Sequence, residues 1–140
     1  MKNKSILEQV LEVVSSYELH DKFETNKKTK LSEIYPNKTI PKALRNYGVY
    51  IFTLKNEIVY IGKNGTLNEK GKFGNHTLNN RIMQGKLKWT GSNNYTVYWF
   101  VTYSKGDKLN ATNFPSVVEC ELLKKYYELR EKLPKHNNSF

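Results

Sequence analysis

Two short runs of β-branched and aromatic residues, GVYIFTL from Gly48 to Leu54 and IVYIG from Ile58 to Gly62, bracket Lys55-Asn56-Glu57. Runs of this length and composition, split by a turn, predict a β-hairpin. Strand side chains alternate faces with period two, so Tyr50 and Phe52 oppose Val49 and Ile51, and Tyr60 opposes Val59 and Ile61. Pairing Val49 with Ile61 and Ile51 with Val59 sets Tyr50 opposite Tyr60 on one face. That register needs an odd-numbered loop such as Leu54 to Asn56, whereas a two-residue Lys55-Asn56 turn places the tyrosines on opposite faces. A cross-strand tyrosine pair is either core packing or a pair of hydroxyls held for chemistry.

The other elements follow from periodicity. Ile6, Leu7, Val10, Val14 and Tyr17 recur at helical spacing over residues 5–19, with a capping box at Ser5 and Glu8. The polar, lysine-rich stretch from His20 to Asn46 reads as an irregular arm. Asn64 to Asn75 is a glycine-bearing loop, and Thr77 to Gln84 a short helix ended by Gly85. Tyr95 to Tyr103 (YTVYWFVTY) is the strongest strand, and Pro115 to Leu133 a long helix stopped by Pro134. The expectation is an α+β domain: a small three-stranded antiparallel sheet flanked by helices, with an extra N-terminal helix. One domain spans 1–140, divided into a helix and basic arm (1–47) and a core (48–138).

The 140 residues suffice for one buried core. No apolar run reaches membrane-spanning length, and the N-terminus lacks a signal-peptide pattern, so a cytoplasmic protein is expected. The single cysteine, Cys120, excludes an intramolecular disulfide and cysteine-based zinc sites, and in its apolar helical stretch it reads as a buried thiol. Lys+Arg number 23 against 13 Asp+Glu, a formal net charge of +10. Such a surplus attracts polyanions, although composition alone does not separate nucleic-acid binding from solubility. Arginine occurs at Arg45, Arg81 and Arg130, so a bidentate phosphate clamp is one of these three.

Gly48-Val49-Tyr50 followed by Tyr60-Ile61-Gly62, with Lys63 directly after, resembles the signature of the GIY-YIG nuclease superfamily. The order of the remaining pieces is similar: Arg81 in a helix, a strand, Glu119 in a helix, and Pro134-Lys135-His136-Asn137 at the close. The resemblance spans residues 48 to 137. It implies a GIY-YIG-like core and a metal-dependent DNA endonuclease, of restriction or mobile-element type, acting on double-stranded DNA. Glu119 would hold one Mg²⁺ or Mn²⁺, Arg81 the scissile phosphate, and Tyr50 would serve as general base beside Tyr60. Lys63, Asn137 and His76 complete the candidate catalytic set. His76 enters as a substitute for the tyrosine or histidine that family members carry one turn after the arginine, where this chain has Gly85.

These residue types suit phosphodiester hydrolysis, which needs cations at the phosphate, a proton acceptor and leaving-group stabilisation. A phenol with pKa near 10 is a weak base, but one ammonium at about 4 Å in an effective dielectric of about 20 contributes on the order of 4 kcal/mol, about three pKa units. Lys63, Arg81 and the metal are therefore expected to lower Tyr50. Glu119 has a rival reading as the last member of a capping box, Ser116-Val117-Val118-Glu119. Pro115 argues against it by starting the helix earlier, and Glu121 is the fallback ligand. Lys70, Lys72, Lys86, Lys88 and Trp89 are candidate DNA contacts. A non-cleaving nucleic-acid-binding module on the same scaffold is the alternative, and a homodimer would provide one centre per DNA strand.

Overall fold

The computed structural model describes residues 4–18, 20–26, 44, 46–65, 69, 77–78, 81–82, 94–103 and 113–137. The elements run α1 (Ile6–Glu12), β1 (His20–Thr25), β2 (Tyr47–Leu54), β3 (Glu57–Asn64), β4 (Tyr95–Tyr103) and α2 (Pro115–Arg130). The architecture is α+β, an open antiparallel sheet ordered β1-β4-β2-β3. Four strands replace the expected three. The additional one, β1, comes from the segment read as an irregular arm and pairs with β4 from His20–Phe100 to Thr25–Tyr95.

The hairpin turn also differs from expectation. Lys55 and Asn56 both adopt positive φ, 51° and 66°, the two-residue geometry that matches strand twist. Leu54 then pairs with Glu57 and Thr53 with Ile58. A straight ladder from this turn would set Tyr60 against Ile51, on the face away from Tyr50. A bulge between Phe52 and Thr53 shifts the register, so that Phe52 pairs with Tyr60, Ile51 with Ile61 and Tyr50 with Gly62. Tyr60 therefore returns to the face of Tyr50, one diagonal step away rather than directly opposite.

β2 is buried along Tyr47–Thr53 because both sheet faces are covered. On one face Val49, Ile51, Ile58, Ile61 and Phe100 pack with Leu7, Val10 and Val14 from the first helical segment and Val118, Leu122, Leu123 and Tyr126 of α2. The opposite face gathers Tyr50, Phe52, Tyr95, Val97 and Trp99 with Phe23, Leu44, Leu78 and Ile82. The capping box at Ser5 and Glu8 is present, and α1 ends at Glu12, short of the expected residue 19. No helix among the described residues is long and apolar enough to cross a membrane.

After α2 the chain turns back through Glu131, in the left-handed region at φ 57°, and reaches the free edge of β3. His136 N–H donates to the Val59 carbonyl at 2.8 Å. The Asn137 carboxamide accepts from Ile61 N–H and donates to Ile61 C=O, both at 2.9 Å. An edge strand with unpaired backbone groups is thereby closed by a side chain that mimics a neighbouring strand.

Candidate active site

Both glycines of the hairpin signature are positions where a side chain does not fit. A Cβ on Gly48 would stand 2.0 Å from the Phe100 carbonyl oxygen, because the β2–β4 register shifts between Tyr47 and Gly48 and the backbones draw together. A Cβ on Gly62 would stand 2.5 Å from Tyr50 Cζ, 2.6 Å from Tyr50 Oη and 2.6 Å from Tyr60 Cε2. The Tyr50 ring therefore leaves β2, crosses over Gly62 and carries its hydroxyl across β3. Asn64, buried at the end of β3, accepts from Gly48 N–H at 3.0 Å and ties the two signature ends together. It was not among the candidates; its signal in the sequence is a polar residue ending an apolar strand.

Tyr50 is 4% exposed and Tyr60 half-buried. Their rings lie 6.1 Å apart at 39°, and Phe52 meets both edge-on at 5.9 and 6.5 Å. The Tyr50 hydroxyl donates to that of Tyr60, a bond that raises the first phenol and lowers the second. Burial pushes Tyr50 far above the ordinary tyrosine value; the field of Tyr60 adds to this, Arg81 opposes it, and Glu119 raises it further. Tyr60 is also raised, by burial and then by Glu119, with the Tyr50 hydrogen bond and Arg81 acting downward. The expected lowering of Tyr50 by neighbouring cations is thus present in sign at Arg81 but outweighed by desolvation.

Arg81 is exposed and helical, one residue before the buried Ile82 and three after the buried Leu78, both of which pack in the Tyr50 core. Leu78 N–H donates to Asn46 C=O at 3.1 Å and Arg81 N–H to Thr77 C=O at 3.2 Å, so this turn is anchored beside the start of β2. The guanidinium acts electrostatically on both phenols.

Glu119 stands in the second turn of α2. Its helix begins at Pro115 with Phe114 as N-cap and no side-chain cap, so the capping-box alternative is overturned: the helix starts two residues too early for Ser116 to be its N-cap and Glu119 its third residue. At 100° per residue Glu119 shares the inward side with Leu122, Leu123 and Tyr126, while Glu121 is exposed on the outer side. Burial raises the Glu119 carboxyl above the usual range, and Lys63 pulls it down. Tyr50 and Tyr60 thus share Arg81 and Glu119 as electrostatic neighbours, and Glu119 in turn has Lys63.

Asn137 sits on the outer edge of β3, with its carboxamide committed to Ile61. His136 beside it is lowered by burial and by Lys135. Cys120 is exposed, correcting the expectation of a buried thiol. His76, Lys70, Lys72, Lys86, Lys88 and Trp89 lie outside the described residues. Among the described residues no group of three or more His, Cys, Asp or Glu side chains is placed to hold a metal. A site built on Glu119 alone fits magnesium, which commonly takes one or two carboxylates and fills its remaining positions with water and phosphate oxygens. Comparison of the chain with protein-family models, with curated proteins and with solved structures found no match.

Proposed function

We propose that this chain is a metal-dependent DNA endonuclease of GIY-YIG type, in which the Tyr50–Tyr60 pair, Arg81, Lys63 and Glu119 form one catalytic pocket. The observation that carries the reading is the coupling of both phenols to the same guanidinium and the same carboxylate. These residues come from β2, β3, the helical pair Arg81 and Ile82, and α2. A structural packing pair of tyrosines has no need of either charge.

The net charge of +10, from 23 lysines and arginines against 13 carboxylates, supports a polyanionic partner such as the phosphate backbone of DNA.

In this proposal Glu119 would hold the divalent cation, whose chemistry there would be Lewis-acid charge at the phosphate. Arg81, exposed at the pocket mouth, pairs with the non-bridging phosphate oxygens. Tyr50 stays protonated and keeps its hydrogen directed at Tyr60. The half-exposed Tyr60, having first lost its own proton to solvent with Arg81 and the cation's charge opposing the upward pull of burial and Glu119, would as phenolate accept a proton from attacking water, with Tyr50 orienting it. Lys63 faces Glu119 and lowers its proton affinity, favouring the carboxylate form that a cation requires.

Incubation of the protein with supercoiled plasmid and Mg²⁺ or Mn²⁺, with and without chelator, tests this. Nicking or linearisation is expected, lost with chelator and reduced by about 10²–10³ in Arg81→Ala. Glu119→Ala is expected to lose cleavage while retaining low-salt DNA binding. Cleavage retained by Glu119→Ala would overturn the metal assignment. Binding without cleavage on every duplex would identify a nucleic-acid-binding module on this scaffold.

A further inference from the structure

At its tight end the β2–β3 hairpin is pinned by the turn, where Leu54 pairs with Glu57 and Thr53 with Ile58. That constraint reaches only as far as the bulge between Phe52 and Thr53. Beyond it the ladder runs in a second register, from Phe52–Tyr60 to Gly48–Asn64. Burial of Val49, Ile51 and Ile61 against α2 decides which residues look inward, but an offset of two residues would satisfy it equally. The register that seats Tyr50 over Gly62 therefore needs a pin of its own at the open end.

Asn64 has the properties of that pin. It is the last residue of β3, 2% exposed, and precedes Gly65, whose φ of 105° takes the chain out of the strand. At the last rung of the ladder its Oδ1 accepts from Gly48 N–H at 3.0 Å. Two residues before Gly48, Asn46 C=O accepts from Leu78 N–H and so anchors the segment that carries Arg81. Alternation sets Tyr60, Gly62 and Asn64 on one face of β3 and Lys63 on the other, the face of Val49 and α2. One carboxamide thus joins the strand bearing Tyr60, Gly62 and Lys63 to the stretch that leads into Tyr50.

We infer that Asn64 is a positioning residue of the nuclease pocket, holding the register in which Tyr50 crosses Gly62 and Lys63 faces Glu119. Its effect on rate rests on the nuclease reading, whereas its effect on geometry is measurable without cleavage. An alanine in its place leaves the buried Gly48 N–H without this acceptor and the open end of the ladder without its pin.

Plasmid nicking well below the Tm of every variant, resolved into kcat and KM, tests the inference. Asn64→Ala should lower kcat by about ten- to a hundredfold with KM nearly unchanged. Asn64→Asp keeps an acceptor oxygen for Gly48 N–H and should recover most of that loss. Thr53→Val is the control: Thr53 is equally buried, and its hydroxyl donates to Thr96 C=O at 3.0 Å, but on the turn side of the bulge. It should lower Tm and leave kcat unchanged. In proton NMR the contact of Gly62 Hα with the Tyr50 ring should weaken in Asn64→Ala and persist in the other two variants. A wild-type kcat in Asn64→Ala would overturn the proposal, as would an equal kcat loss in Thr53→Val or a folded Asn64→Asp no faster than Asn64→Ala. Where Asn64→Ala does not fold, Asn64→Asp decides alone, and a folded protein that loses the Gly62–Tyr50 contact overturns the proposal. Should the wild-type chain not cleave, the nuclease reading falls by itself, and an unchanged Gly62–Tyr50 contact in Asn64→Ala would remove the positioning role too.

Discussion

Substituting Gly62 by alanine places a methyl group where the Tyr50 hydroxyl passes. The new carbon would stand 2.5–2.6 Å from Tyr50 Cζ, Tyr50 Oη and Tyr60 Cε2, whereas carbon contacts settle at about 3.5–4.0 Å. The Tyr50 ring must retreat by about 1 Å, yet it is closed in by Phe52 and by the strand that carries Trp99. Overpacking of this kind costs about 1–3 kcal/mol. In a chain of this size that is a fall in Tm of about 3–10 °C. The effect on chemistry should be larger, since a displacement of about 1 Å at reacting groups can cost about a hundredfold in rate. Gly62→Ala is therefore expected to unfold at moderately lower temperature in calorimetry and to nick plasmid about a hundredfold more slowly, with low-salt DNA binding retained. Gly48→Ala provides the contrast: its clash is with the Phe100 backbone carbonyl at 2.0 Å, which no side-chain torsion relieves, so stability should fall further. A Gly62→Ala protein with wild-type Tm and wild-type rate would refute the crossing of Tyr50 over Gly62.

Glu119→Gln should raise Tm at pH 7 in the presence of chelator. Burial lifts the folded carboxyl above its ordinary value of 4.5, so the stability its proton contributes is complete below that pH and is lost as pH rises through the folded value. The glutamine variant escapes that loss, and the difference should vanish near pH 4 in a series of melts. Tyr60→Phe should reduce cleavage by about 10²–10⁴ if its oxygen takes the proton. In Tyr50→Phe the rising limb of the pH–rate profile should move to higher pH, because Tyr60 loses the donor that lowers it. Asn137→Ala removes two hydrogen bonds from Ile61 and should destabilise the domain by about 1–3 kcal/mol, with faster amide exchange at Ile61.

The hairpin, β4 and α2 were legible because their apolar residues recur at strand or helix spacing. β1 was not: in HDKFET only Phe23 and Thr25 are buried. An edge strand with four exposed residues presents charge where a central strand presents valine or isoleucine. The shared face of Tyr50 and Tyr60 was anticipated, but through the wrong turn, since neither the positive φ of Lys55 and Asn56 nor the bulge is visible in side-chain alternation. Pro115 was a sound guide to the free side of Glu119. Burial misled in both directions: Cys120 faces outward despite apolar neighbours, and Tyr50 is desolvated beyond what its cations offset. Desolvation depends on what packs overhead, here Leu78, Ile82 and Trp99, and no local pattern reports that.

The bulge in β3 makes the hairpin a matter of odd and even numbers. A tight two-residue turn and a ten-residue interval between Tyr50 and Tyr60 disagree by one, and Val59 is the residue that absorbs the difference. Excising Val59 would leave a straight ladder with both phenols still side by side, whereas excising Lys55 or Asn56 would send Tyr60 toward α2 only if the bulge at Val59 persisted. Chains with nine residues in that interval can therefore present the same pair of hydroxyls as chains with ten, and the interval alone is a poor guide to which way the second phenol looks.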